Sequence, residues 1–361
     1  MKVKKRAPQK QLTAADAIAH QMTAEAALKD RRYSAQVGQL KSQVEALEKH
    51  LEDAMARADL VEGVRDLSRE IKIETNVRAG RVLNPDRRVA TAVAVASDWH
   101  WFEDVDPKKV NGINEYNPAI ANRRAKRFFA GIEWLISQQA RIFDVKHLVL
   151  ALIGDMITGY LRDEDLESNH GSPTEEIVDL VVVLEEGIRF LHKALPELTI
   201  HVPCLSGNHG RTTHKLRVAT ASRNSFEWVL YRWLASKFAG ESWIQFQVAD
   251  GHHTLVDVYG MRLHFHHGDS VKSCGGIGGV DVPLNRAVMQ WRIKFKSHLS
   301  IVGHFHQFQA GERLIRNGSL IGFGSFSDWL PSADPEPAQQ AFFLIDAKRG
   351  KTNNCPIWCA E

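Results

Sequence analysis

The stretch Val89-Ala90-Thr91-Ala92-Val93-Ala94-Val95-Ala96 runs directly into Ser97-Asp98-Trp99-His100. An apolar, β-rich run of strand length that stops at polar residues reads as a strand followed by a loop. Four further runs repeat that grammar: HLVLALI (147–153), LTIHVPCL (198–205), MRLHFH (261–266) and HLSIVG (298–303). Helical patterns fall between several of them, over roughly Ala119–Ile142, Thr174–Leu195 and Ser225–Ala239. Strands alternating with helices predict an α/β domain. The last strand-like runs, Leu314–Phe323 and Ala341–Ile345, come without long helices and predict a second sheet region of mixed direction.

Upstream of Val89 the composition changes. Residues 12–75 lack proline and are rich in helix formers. Tyr33, Val37, Leu40, Val44, Leu47, Leu51, Ala54, Ala58 and Val61 are spaced alternately four and three apart. That is a heptad seam, and it predicts a helical or coiled-coil arm over residues 1–85 that would oligomerise the protein through residues 33–61. Asn76–Arg88 reads as the linker, leaving residues 86–361 as the main domain.

The whole chain, 361 residues with 44% hydrophobic and 25% charged side chains, has the balance of an ordinary globular protein. No stretch is long and apolar enough for a membrane helix, and the basic start lacks the apolar core of an export signal. Four scattered cysteines (Cys204, Cys274, Cys355, Cys359) suit a reducing, cytoplasmic setting. Cys355 and Cys359 read as thiols near the surface. Residues 1–85 hold 16 basic and 12 acidic side chains, the remainder 30 and 31. The main domain is therefore no broadly basic nucleic-acid surface, and any polyanion would have to be held by local patches or bound metal.

Each of the five runs ends in groups able to bind metal: Asp98 and His100; Gly154-Asp155; Gly207-Asn208-His209; His266-His267-Gly268-Asp269; Gly303-His304-Phe305-His306. Sites in open α/β sheets form outside the carboxyl ends of the strands, so five such ends would gather these groups in one crevice. Residues two apart in extended chain point the same way, which lets Asp98 pair with His100 and His304 with His306. Imidazole and carboxylate suit manganese, iron, zinc or nickel. Spacing alone leaves His264, His266 and His267 open as the fourth ligand.

This ordered set resembles the calcineurin-like metallophosphoesterases, a superfamily that includes Mre11/SbcD-type nucleases, cyclic-nucleotide phosphodiesterases and Ser/Thr protein phosphatases. The resemblance covers about residues 88–325. It implies a four-layer α/β/β/α sandwich with two divalent cations at one end: manganese first, with iron, zinc, nickel or magnesium as alternatives. Carried over residue by residue, one cation would be held by Asp98, His100, Asp155 and His306. The other would be held by Asp155, Asn208, His267 and His304, the His-Gly pattern selecting His267. His209 would be the catalytic histidine that is not a ligand. The activity implied is hydrolysis of a phosphodiester by in-line attack of a metal-activated hydroxide.

Two departures stand out. The family often has Asp or Glu after Asn-His, where this chain has Gly210, followed by Arg211 as a candidate phosphate contact. The Asp-Arg-Gly continuation of Ser/Thr protein phosphatases is missing after Gly154. DNA is the expected substrate, on the order of the ligands and the basic run Arg123-Arg124-Ala125-Lys126-Arg127. Small nucleotides or phosphoproteins are the enzyme alternative, and a non-catalytic scaffold is the other class. Trp99, Trp101, Phe102 and Tyr116 are readable either as base-stacking aromatics or as a core layer. The acidic insertion Leu161–Thr174 would repel a polyanion if it lined the cleft. His252 and His253 read as loop histidines. Lys272–Val282 reads as a glycine-rich loop and candidate lid without strand-to-helix context.

Overall fold

A computed structural model describes residues 87–161, 165, 168–272, 279–324, 327–328 and 335–360. The expected arm and its seam over 33–61 lie outside the described residues, as does most of the glycine-rich loop. The first apolar run forms β1 (Arg88–Ala96). Along the chain follow β2 (Phe143–Leu152), β3 (Thr199–Cys204), β4 (Ile244–Val248), β5 (Thr254–Val258) and β6 (Met261–His266). After them come β7 (Leu299–Val302), β8 (Gln309–Ala310), β9 (Leu314–Arg316), β10 (Gln339–Asp346) and β11 (Gly350–Trp358). Among the described residues the long helices are α1 (Pro118–Gln139), α2 (Pro173–Ala194), α3 (Phe226–Lys237) and α4 (Asp281–Phe295).

The strands build two sheets, ordered β11-β10-β1-β2-β3-β4 and β5-β6-β7-β9-β8. β1, β2, β3 and β4 run parallel, with β10 antiparallel against β1. In the second sheet β6, β7 and β9 run parallel. The period-2 alternation of a strand explains why the sheets stack. Ala90, Ala92, Ala94 and Ala96 of β1 join one core with α1, α2 and α3, while Val93 and Val95 join another with Phe265 and Ile301 of the second sheet. β2 sorts likewise, with Leu148, Leu150 and Leu152 toward the helices and Val149 and Ala151 toward the second sheet. Leu284 and Val288 of α4 cover Val302 and Leu314 on the outer face of that sheet. The result is the expected α/β/β/α sandwich. Each fully buried large apolar side chain in it contributes roughly 1.5–3 kcal/mol.

Helix starts are set by caps. Asn117 and Ser172 accept from the first-turn backbone ahead of Pro118 and Pro173, and Ser172 and Glu175 form a reciprocal capping box. Three sequence expectations need correction. α4 begins at Asp281, so a helix does follow β6 and its glycine-rich loop. Of the run Leu314–Phe323 only Leu314–Arg316 is strand, because Asn317 and Ser319 turn inward, Asn317 Oδ1 accepting from Ala341 N–H of β10 and Ser319 Oγ from Gly322 N–H. β11 adds a polar edge strand after Ala341–Ile345. No helix among the described residues is long and apolar enough to cross a membrane.

Candidate metal centre

β1, β2 and β3 are parallel, and so are β6 and β7. The loops after all five therefore leave the sandwich at like ends of their strands. The first two are laced by backbone bonds: Asp98 N–H donates to Gly154 O at 3.0 Å, and Trp99 N–H to Asp155 O at 2.8 Å. Close approach requires glycine. A Cβ on Gly154 would lie 2.3 Å from Gly207 N, and one on Gly207 would lie 2.2 Å from Asp155 Oδ1. The turns are sharp enough that Asp98, His100, Asp155, His304 and His306 all have positive φ, between 45° and 72°. Non-glycine residues rarely adopt that conformation, and when they do the surroundings must impose it.

Among the described residues, three groups of side chains place ligand atoms within 4.8 Å of one another: Asp98, His100 and His306; His100, Asp155 and His209; Asp155, His267 and His304. Asp155 Oδ2 is 2.8 Å from His267 Nε2, and its Oδ1 accepts from the His209 backbone N–H at 2.8 Å. Asp98 accepts from His304 N–H at 3.0 Å, and its Oδ1 is 3.4 Å from His306 Nε2. His267 Nδ1 sits 2.9 Å from the Ile153 carbonyl, which can only accept, so the Nδ1 proton is fixed there and Nε2 is turned to Asp155. His209 Nδ1 is held the same way, 2.8 Å from Thr158 O. Asn208 Oδ1 is buried without a hydrogen-bond partner, and so is His100 Nδ1, which has only Glu103 Oε2 at 3.4 Å.

The electrostatics follow from burial. Burial disfavours charge on Asp155, but the imidazoles of His267 and His209 beside it hold its carboxyl well below the usual range. Burial pulls His267 down, yet Asp155 outweighs it and holds the ring well above its ordinary value. Burial, then His209 and His306, push His100 well down, and burial and His267 bring His304 to about 4. The neutral imidazoles of His100 and His304, with lone pairs beside two buried carboxylates, fit a divalent cation. The orphaned Asn208 oxygen fits the same demand, since a buried acceptor without a partner costs about 1–3 kcal/mol unless something occupies it.

No protein-family model and no curated protein matches the chain. Among solved structures, a predicted phosphoesterase from Streptococcus pneumoniae is 11% identical over 71% of this chain and 84% of that one, with a TM-score of 0.27. Vps29 of Chaetomium thermophilum is 10% identical over 74% and 96%, TM-score 0.30. A hypothetical protein from Pyrococcus horikoshii is 14% identical over 75% and 88%, TM-score 0.36. At such identities the chemistry must be decided by this chain's own residues.

Other residues singled out in the sequence go elsewhere. Arg211 Nη2 donates to His214 O in its own loop. Arg124 is buried and donates to Leu320 O and Ile321 O, so it ties loops together and cannot grip a phosphate backbone. Trp99, Trp101 and Tyr116 are fully buried core residues, which removes them as base-stacking groups. His264 and His266 lie behind the site, His266 stacked on Trp291 of α4 at 4.7 Å. His253 joins them, its Nδ1 2.9 Å from His264 Nε2, so this loop histidine is built into the interior.

Two buried glutamates escaped the sequence reading. Glu176 of α2 accepts from Thr158 N–H at 2.7 Å, and burial lifts its carboxyl to about 7. Glu227 of α3 accepts from Met156 and Gly207; burial, then Asp155, push its carboxyl up, while the two N–H bonds favour its charged form. Both sit in amphipathic helices where a glutamate ordinarily faces water, and helical spacing gives no sign of their partners.

Proposed function

We propose that this protein is a metal-dependent hydrolase of phosphate esters that cleaves phosphodiester bonds. The observation that carries this is the gathering of Asp98, His100, Asp155, His209, His267, His304 and His306 from five strand ends, with the acceptor of Asn208, one residue before His209, buried and unpartnered. Asp98, His100, Asp155 and His306 would hold one cation, and Asp155, Asn208, His267 and His304 a second. Bound divalent cations, manganese first among the candidates, supply neutralisation of phosphate oxygens and acidification of water. Asp155, reached by both histidine sets, keeps the two halves of the site in register. His209, clamped at Nδ1 by Thr158, has its ring 4.6 Å from that of His100 and is set to pass a proton to the leaving oxygen.

Carboxylates on this side favour a compact diester over a long polyanion. Asp165 of the acidic insertion lies 3.9 Å from His209 Nδ1, and Glu103 lies beside His100. DNA remains the second substrate class, supported by the exposed Arg123 and Lys126 of α1. The test is hydrolysis of bis-p-nitrophenyl phosphate, p-nitrophenyl phosphate, linear DNA and circular DNA with Mn²⁺. Diester cleavage that needs Mn²⁺ and falls at least about 100-fold in Asp155→Asn is expected. Cleavage of the monoester alone, or of nothing, overturns the proposal.

A further inference from the structure

Glu227 occupies a place that the sequence gives no reason to expect. It is the second residue of α3, with its backbone N–H donating to Ser225 Oγ at 3.2 Å, and its side chain is fully buried. One carboxylate oxygen accepts from Met156 N–H at 2.5 Å, and the other accepts from Gly207 N–H at 2.6 Å. Met156 follows Asp155, and Gly207 precedes Asn208 and His209. A single carboxylate thus straddles the two loops that deliver the shared carboxylate, the orphaned amide and the proton-handling histidine. It also satisfies two buried N–H groups that would otherwise lack acceptors.

The residue after His209 completes the picture. Gly210 is not in the left-handed region, so its backbone would tolerate a side chain. Space forbids one: a Cβ there would lie 2.6 Å from Glu227 Cγ, 2.9 Å from Ser225 Oγ and 3.1 Å from Glu227 Cδ. The resembled family often carries Asp or Glu at this position. The volume such a side chain would enter is here filled by a carboxylate arriving from another element.

We infer that Glu227 is a positioning residue of the metal centre, supplying from α3 the acidic group that the resembled family carries next to its catalytic histidine. This rests on the phosphoesterase reading. Glu227 touches neither cation nor substrate; it fixes the separation of the Asp155 loop from the Asn208–His209 loop. The absence of a side chain at 210 and the presence of Glu227 are two halves of one arrangement.

Calorimetric titration with Mn²⁺ tests it, with melting curves confirming that each variant is folded. Glu227→Gln puts an amide NH₂ against one of the two N–H donors, and Mn²⁺ affinity is expected to fall about 10–100-fold. Gly210→Ala keeps every charge but displaces the Glu227 stem, and a weaker loss in the same direction is expected. Gly210→Glu combined with Glu227→Ala returns a carboxylate to the same volume and is expected to regain at least about tenfold of the affinity lost in Glu227→Ala alone. Wild-type affinity in both Glu227→Gln and Gly210→Ala overturns the inference, as does a double variant no better than Glu227→Ala. Wild-type protein that takes up no Mn²⁺ overturns the phosphoesterase reading itself, whereas a binding wild type beside unaffected variants overturns this inference alone.

Discussion

At the scale of single residues, the groups that meet in the site were visible in the sequence because each follows a strand-like run and none lies inside one. Their backbone geometry was not visible. Nothing in Asp98, His100, Asp155, His304 or His306 announces a positive φ, since that conformation is imposed by loops pressing on one another. The choice of His267 over its neighbours came from the resemblance, and the structure places His267 against Asp155 and His266 against Trp291. Glu227 was illegible because its partners are backbone N–H groups 20 and 71 residues away. His209 permits a residue-level prediction. Its side chain bonds Thr158, while its backbone N–H bonds Asp155. His209→Ala should therefore leave Mn²⁺ uptake intact and lower kcat by about 10²–10⁴-fold on esters with poor leaving groups. Equal losses of uptake and rate would show that the ring serves metal binding.

At the scale of elements, legibility tracked burial. β1, β2 and β3 are buried on both faces and read as unbroken apolar runs. β11 lies at a sheet edge, β4 at the other, and their mixed polar sequences gave no strand signal. β5 also went unread: Thr254, Val256 and Val258 alternate with less buried neighbours within only five residues. α4 buries only Leu284 and Val288, so its pattern was weak. Contacts between helices carry a sharper test. A Cβ on Gly187 of α2 would lie 2.1 Å from the Phe129 ring of α1. Overpacking a core costs about 1–3 kcal/mol, against a helix-propensity gain of about 1 kcal/mol for alanine. Gly187→Ala should lower the urea midpoint, and an unchanged or higher midpoint would mean that α1 can draw back freely.

At the scale of the whole molecule, composition and the strand–helix alternation gave an α/β domain. The four-layer arrangement came from the resemblance, because pairing order between distant strands leaves little local trace. The second sheet also hides a pH response. Burial, then His264, holds His253 down at about 2, and burial, then His266, holds His264 at about 3. Both therefore fold without their protons, while in the unfolded chain they take them up once pH falls below about 6.5. A depressed folded pKa gives stability that is present above 6.5 and lost as pH falls from there toward 3. The loss reaches at most about 1.4 kcal/mol per pH unit for each histidine. Melting temperature should drop between pH 7.5 and 5, and His264→Gln should make the drop shallower. An equal slope in that variant would remove the buried pair as its cause.

The left-handed turns at the mouth of the sandwich have a consequence for how such a chain is chosen. Were folding free energy the sole criterion, glycine or asparagine would suit those five corners better than aspartate or histidine. Bulky donors sit there against the preference of their own backbone; if the site works as proposed, the criterion that keeps them is its chemistry, and a chain relieved of it would drift toward the easier residues.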